Sequence, residues 1–232
     1  MAYLGIINTL LLPSPLRVLE SARDVGSTLA LHVTATLLRV AVGYLLGVLL
    51  GVCLGVLMQF DSRIFRALDG LIETFRPVPP VAVVPFFILL FGFSELGKIL
   101  ITVLGVSLLI TVTTIEAIER VPAGVIRWGL VLGLSRRDLF RFIVLPAAWP
   151  EMRGGYRIAL ALAITLVIVS EFMGARYGLG YLISVSKVTL TTPTILLTTM
   201  ILGWMGWGLD RMLRLLFDKS TAWDIRAKGA TR

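Results

Sequence analysis

The chain has 232 residues, of which 57% are hydrophobic and only 16% charged, and its mean hydropathy of +0.91 implies more apolar surface than a soluble core of this size could bury. This excludes a soluble globular protein and points to an integral membrane protein. The formal charge of +8 does not indicate a nucleic-acid partner, because the basic residues sit in loops instead of one stripe with stacking aromatics.

The fold class expected is all-α, a polytopic membrane helical bundle. Apolar runs near 37–58, 79–93, 97–115, 157–173 and 194–217 approach the ~20 residues that cross a ~30 Å hydrocarbon layer, and none shows the period-two alternation of barrel strands. Five spanning helices follow. Basic residues concentrate in the loop holding Arg63, Arg66 and Arg76, in 120–157, and in 211–232, so these regions are expected on the cytoplasmic side. The weakly charged loops at 94–97 and 174–192 then lie outside.

In chain order, residues 3–12 form an apolar run too short to cross, ahead of Pro13-Ser14-Pro15, and no cleavable signal peptide is visible. A short or truncated N-terminal helix is therefore expected. Residues 1–36 read as an N-terminal segment and outer helix, 37–217 as the transmembrane domain with a cytoplasmic loop at 116–156, and 218–232 as a basic cytoplasmic tail. His32 reads as a capping or packing residue. Cys53, the one cysteine, excludes an intramolecular disulfide and reads as a small apolar residue in a helix interface.

The first full helix carries Gly43, Gly47, Gly51 and Gly55 at four-residue spacing, which puts them on one face where another backbone can approach closely. That face serves packing, or a sliding interface in a transport cycle. Next, Ile64, Leu68, Leu71, Ile72 and Phe75 form an apolar stripe opposite charges, the pattern of a helix lying along the membrane surface. Pro77, Pro79, Pro80 and Pro85 then remove backbone donors, so the crossing near 79–93 is expected to be short, kinked or late in starting, with a re-entrant hairpin as the alternative.

The long insert reads as helix, turn, helix. Pro122 suits a first helical turn, Gly133 a left-handed cap, and Ser135-Arg136-Arg137-Asp138 a capping box for a second helix expected to stop at Pro146. Leu139, Phe140, Phe142, Ile143 and Leu145 give that helix apolar surface, while Arg136, Arg137 and Arg141 are solvated or meet a partner. Two roles stay open on spacing alone, an ordinary interfacial loop and a docking element. Among polar residues in apolar runs, Ser107, Thr111, Ser170 and Glu171 are candidates for a translocation path or gate, although a hydroxyl can simply bond its own helix. Glu171 is the costly one, since a carboxylate near lipid needs protein, water or a cation. It reads as part of a gate or structural ion pair, or as a helix end in water.

Gly133 followed by nine residues and then Ile143-Val-Leu-Pro146 resembles the second half of the "EAA" loop of ABC importer permeases. Leu37-Leu-Arg-Val-Ala-Val-Gly-Tyr44, Arg76-Pro-Val-Pro-Pro80, Phe91-Gly-Phe-Ser-Glu-Leu-Gly-Lys98 and Ser170-Glu-Phe-Met-Gly-Ala-Arg-Tyr-Gly-Leu-Gly-Tyr-Leu-Ile183 are similar to the nitrate/sulfonate/taurine/bicarbonate class, in matching order over nearly the whole chain. The resemblance implies a type I importer half in a bacterial inner membrane. Its partners would be a second permease copy or a homologous permease, a cytoplasmic ABC ATPase dimer using ATP and magnesium, a periplasmic or lipoprotein solute-binding protein, and the lipid bilayer. The solute would be small and anionic.

The chain itself would bind no cofactor and catalyse nothing. In keeping with that, it has no glycine-rich Walker loop and no His, Cys or carboxylate cluster at metal or triad spacing. The family pattern is incomplete, because Arg127, Trp128 and Gly129 stand where Glu-Ala-Ala is expected, and Glu116-Ala117 lies too far upstream to replace it. By the resemblance, Arg127 to Gly129, Gly133, Leu134, Ser135, Arg136, Arg137, Phe140 and Pro146 form the ATPase-coupling segment. A secondary transporter or channel would also be a helical bundle but usually carries internal repeats, which the two halves lack, and a membrane scaffold could own the same basic loop.

Overall fold

The protein is described from a computed structural model in which residues 13–221 are described. The apolar run at 3–12 and the tail beyond 221 lie outside them. Every regular element among the described residues is helical. They are α1 (Pro15–Val25), α2 (Thr28–Phe60), α3 (Ser62–Phe75), a 3-10 turn (Pro80–Val83) leading into α4 (Val84–Phe91), α5 (Glu95–Glu119) and α6 (Ala123–Val131). The second half of the insert runs through α7 (Arg136–Leu139), a π-turn (Phe140–Val144), α8 (Leu145–Ala148) and a 3-10 turn (Trp149–Met152) into α9 (Arg153–Gly174), and α10 (Leu179–Val188) and α11 (Thr192–Ser220) follow.

Among the described residues, three stretches are long and apolar enough to cross a bilayer: Thr28–Phe60, Glu95–Glu119 and the continuous helical path Arg136–Gly174. Ser62–Phe75 and Pro80–Phe91, bent by 87° at the prolines, make a fourth if taken as one span. Alone, the 12 residues of Pro80–Phe91 rise only about 18–20 Å, short of the ~30 Å layer. α11 has the length, 29 residues, but threonines, glycines and a charged last third dilute its apolar character.

Several boundaries differ from the sequence expectation. The first long helix begins at Thr28 and runs 33 residues, so the division at 36/37 falls inside one continuous helix. No Gly or Pro interrupts residues 28–42, and Thr34 satisfies its hydroxyl on the Ala30 carbonyl at 2.9 Å. The expected outer loop at 174–192 contains α10. Pro146 does not stop the second helix of the insert. The π-turn widens the backbone just ahead of it, absorbing the missing N–H and the ring's clash with the preceding turn, and the helical path continues to Gly174. Cys53 is exposed instead of sitting in a helix interface, because Gly51 and Gly55 take the packed face and a residue two positions away points to the other side.

The described chain forms two compact units, residues 13–43, 80–102 and 163–209 in one and 44–79, 103–162 and 210–221 in the other, with α2, α5, α9 and α11 each contributing to both. In the first unit, Gly43 lies against α5, where a Cβ would meet Thr102 at 2.6 Å. Within the second unit, a Cβ on Gly47 would meet Val106 at 2.6 Å, on Gly51 both Ile110 and the Ser107 carbonyl at 2.7 Å, and on Gly55 Thr114 at 2.7 Å. Helix packing without side chains on one partner gains dispersion contact where lipid offers no hydrophobic driving force. In the same unit, α9 meets the end of α11 through Arg157–Asp210 at 2.6 Å and Arg153–Asp218 at 2.7 Å, with Trp149 stacked on Phe217.

Candidate functional site: an exposed insert and a buried ionic cluster

The insert presents a fixed apolar face. Pro122 stands at the N-cap of α6, and α6 ends in a reversal where Gly133 has φ +75°, a conformation in which a Cβ is strained. The reversal is closed by N–H donation from Gly133 to the Leu130 carbonyl at 3.0 Å and from Leu134 to that of Gly129 at 3.2 Å. Ser135 then caps the next helix, accepting from the Asp138 N–H at 3.2 Å and donating to the Asp138 carboxylate at 2.5 Å. Gly129 is buried, and a Cβ there would meet Ile143 at 2.7 Å, so α6 lies directly on the following helix through Leu139 and Ile143.

That packing leaves large side chains facing outward. Trp128 is 73% exposed, Val131 83% and Leu132 76%. Arg127, next to Trp128 in the chain, is exposed, and so is Arg137 on α7. Arg136 instead ties the insert to the end of α2, donating to the Phe60 carbonyl at 2.9 Å with its guanidinium over the Phe60 ring, and Phe140 packs edge-on against the same ring. Pro146 is exposed on the continuing helix.

The candidate path residues Ser107 and Thr111 are buried in the contact between α2 and α5, not on an open surface. Ser107 donates to the Leu104 carbonyl, and Thr111 to the carbonyls of Ser107 at 2.7 Å and Gly51 at 3.2 Å. Their hydroxyls are spent on backbone. Ser170 is likewise buried and bonds the Val167 carbonyl at 2.7 Å.

Glu171 is not a solvated helix end; its side chain has 0% exposure. Arg39 of α2 donates through Nη1 to its Oε1 at 2.6 Å, Thr36 donates to both oxygens at 2.9 and 3.0 Å, and the Gly180 N–H donates to Oε2 at 2.8 Å. Arg39 is shared. Its Nε and Nη2 grip the Glu95 carboxylate at 2.6 and 2.8 Å, and Lys98 reaches the same carboxylate at 2.9 Å.

The cluster also builds the start of α10. The N–H groups of Gly178, Leu179 and Gly180 have no partner within their helix, and each is taken by a side chain from elsewhere: His32 Nδ1 at 3.0 Å, Thr36 Oγ1 at 2.8 Å and Glu171 Oε2. A carboxylate at a helix N-terminus is favoured by the aligned peptide dipoles. His32 thus serves α10 and not its own helix, and it stacks near Tyr181 at 5.8 Å. Gly178 has φ +137°, and a Cβ there would fall on the Glu171 carboxylate.

Sequence reading named Glu171 but missed Arg39, Thr36, Glu95 and Lys98. The available signal was that Arg39 and Glu171 are lone charges near the ends of apolar runs, each lacking a partner on its own helix. Pairing across 132 positions leaves no local pattern.

Comparison with known proteins fits this architecture. The family model described as binding-protein-dependent transport system inner membrane component matches residues 43–217. The taurine transport system permease protein TauC of Escherichia coli (strain K12) is 30% identical over 229 residues, covering 96% of this chain and 83% of the relative. The putative aliphatic sulfonates transport permease protein SsuC of Bacillus subtilis (strain 168) is 32% identical over 228 residues, covering 97% and 83%. The formylaminopyrimidine transport permease protein ThiX of Halalkalibacterium halodurans is 32% identical over 197 residues, covering 84% and 79%. In fold, the chain resembles the inward-facing MetNI methionine ABC transporter, with a TM-score of 0.65 at 20% identity over 81% of this chain and 95% of that one. The chain belongs to the binding-protein-dependent transport system inner membrane components, the permease subunits of ABC importers, which move solute and are not themselves enzymes.

Proposed function

We propose that this permease pairs with a second copy or a homologous permease to form the path for a small anionic solute, and that the insert from Pro122 to Pro146 docks on a cytoplasmic ATPase dimer. ATP and magnesium belong to that partner; this chain holds no cofactor. A periplasmic or lipoprotein binding protein delivers the solute, and both the insert and the C-terminus face the cytoplasm. Taurine and aliphatic sulfonates, the solutes in two relatives' names, both carry a sulfonate, which supports an anionic head group for the solute of this chain.

The observation that carries the docking role is the outward face of α6. Trp128, Val131 and Leu132 stand in solvent although the fold has glycine-fixed packing directly beneath them. An apolar helical face that includes the exposed Arg127 suits a groove on a partner, where a buried tryptophan is a typical anchor. With arginine where the family places an acid, affinity rests on apolar docking or on an unusually acidic groove. Trp128→Ala and Arg127→Glu, compared by co-purification with the ATPase at low and high salt, separate these. Loss at Trp128 of ~2 kcal/mol or more, insensitive to salt, supports apolar docking. A salt-sensitive loss confined to Arg127→Glu supports the acidic groove. Undiminished binding by both variants removes α6 from the ATPase interface.

A further inference from the structure

The Glu95 carboxylate is held in an unusual manner: the anion is outside and its cations are inside. Its side chain is 59% exposed, whereas those of Arg39 and Lys98 are 8% and 5% exposed. Arg39 presents Nε and Nη2 to the two carboxylate oxygens in a fork, and Lys98 adds a third charge-assisted bond. A cavity of about 540 Å³ opens here, with Arg39, Lys98, Arg176 and Tyr177 in its lining. Three cations face one carboxylate in that lining, and Arg176 is exposed to it.

Arg39 does not need Glu95 to stay in place. Its Nη1 is held from behind by Glu171 at 2.6 Å and by the Tyr177 carbonyl at 2.7 Å, both on the far side of the guanidinium from the fork. Should the Glu95 side chain swing out, Nε, Nη2 and the Lys98 ammonium would remain aimed at the cavity. That edge of an arginine, fixed in advance and backed by a lysine, matches the planar or tetrahedral oxygens of a carboxylate or sulfonate. Glu95 is the first residue of α5, following the turn at Gly92, where φ is +63°, so few helical bonds restrain it.

We infer that this cavity is an oxyanion site, filled at rest by the chain's own Glu95, that takes the anionic head of a small solute when Glu95 is displaced. The inference rests on the permease reading and adds the residues that would recognise the solute. A lipid headgroup phosphate shares the chemistry, and the test separates the two sources.

The permease–ATPase complex in phosphatidylcholine nanodiscs is titrated calorimetrically with methanesulfonate and with uncharged methanesulfonamide at constant ionic strength. Glu95→Gln removes the internal competitor, so methanesulfonate should bind about tenfold tighter or better than to the parent, and methanesulfonamide no tighter. Adding Lys98→Gln should abolish the gain. No gain in Glu95→Gln, an equal gain for the sulfonamide, or a gain that survives Lys98→Gln overturns the site. If Glu95→Gln fails to assemble, Glu95→Asp, whose shorter side chain loosens the fork, should give a smaller gain of about threefold, and its absence overturns the site equally. Repeating the titration in phosphatidylglycerol discs should leave the affinity unchanged; abolished binding reassigns the cradle to lipid and overturns the solute assignment. Co-purification of the ATPase from the same preparations reports on the permease reading separately. A complex that assembles and answers its binding protein, yet shows no gain, defeats this inference alone.

Discussion

Removing Arg39 should damage the protein more than neutralising its partner Glu171. The Glu171 carboxylate is fully enclosed, and in Arg39→Met it keeps the Thr36 hydroxyl and the Gly180 N–H but loses its cation. Breaking a buried pair from one side leaves an uncompensated charge and costs ~3–5 kcal/mol. In Glu171→Gln the orphan would be Arg39, but Arg39 retains two bonds to Glu95 and one to the Tyr177 carbonyl. The expected cost is that of one charge-assisted bond and one awkward amide, ~1–3 kcal/mol. The double variant leaves no buried lone charge at this position and should be more stable than Arg39→Met alone, with a coupling of ~1–3 kcal/mol. Reversible unfolding by SDS in mixed micelles measures all three. An equal or larger loss in Glu171→Gln, or strictly additive losses, refutes the reasoning.

Other expectations follow from close approaches and from sidedness. Gly51→Leu would drive a side chain into Ile110 and the Ser107 carbonyl, and should cost at least ~1–3 kcal/mol and reduce folded yield; normal yield and stability would place that face elsewhere. Gly178→Ala meets both a positive φ and the Glu171 carboxylate, so a loss of ~1–3 kcal/mol is expected by the same unfolding assay, and a neutral result contradicts the capping of α10. In a Cys53→Ala background, Ser135→Cys and Val188→Cys should react with impermeant maleimide from opposite sides of the membrane, and labelling of both from outside intact cells would overturn the sidedness drawn from the arginines.

The parts of the fold legible in the sequence were those set by a residue's own backbone chemistry. Gly133 takes a positive φ, Ser135 caps the next helix, the prolines at 77–85 break the chain between α3 and α4, and four-residue glycine spacing marks a face on which backbones meet. Where one signal met a compensating device, local reading went astray. Pro146 would stop a regular α-helix, but the π-turn ahead of it carries the helix on. α10 was hidden in an expected loop because its first N–H groups are satisfied by His32, Thr36 and Glu171 from distant helices, not by a Ser, Thr, Asn or Asp at its own N-cap. The ionic cluster was half visible. Glu171 stood out as a cost without a partner, and only tertiary contact supplies Arg39.

Coupling to an ATPase is measured most directly as ATP hydrolysis by the purified permease–ATPase complex in nanodiscs, with and without the solute-loaded binding protein. Hydrolysis should rise several-fold with the loaded binding protein, and only when this permease is present and its α6 face is intact. Hydrolysis indifferent to the permease, or solute uptake in proteoliposomes that needs no ATP, would contradict an ATP-driven importer subunit.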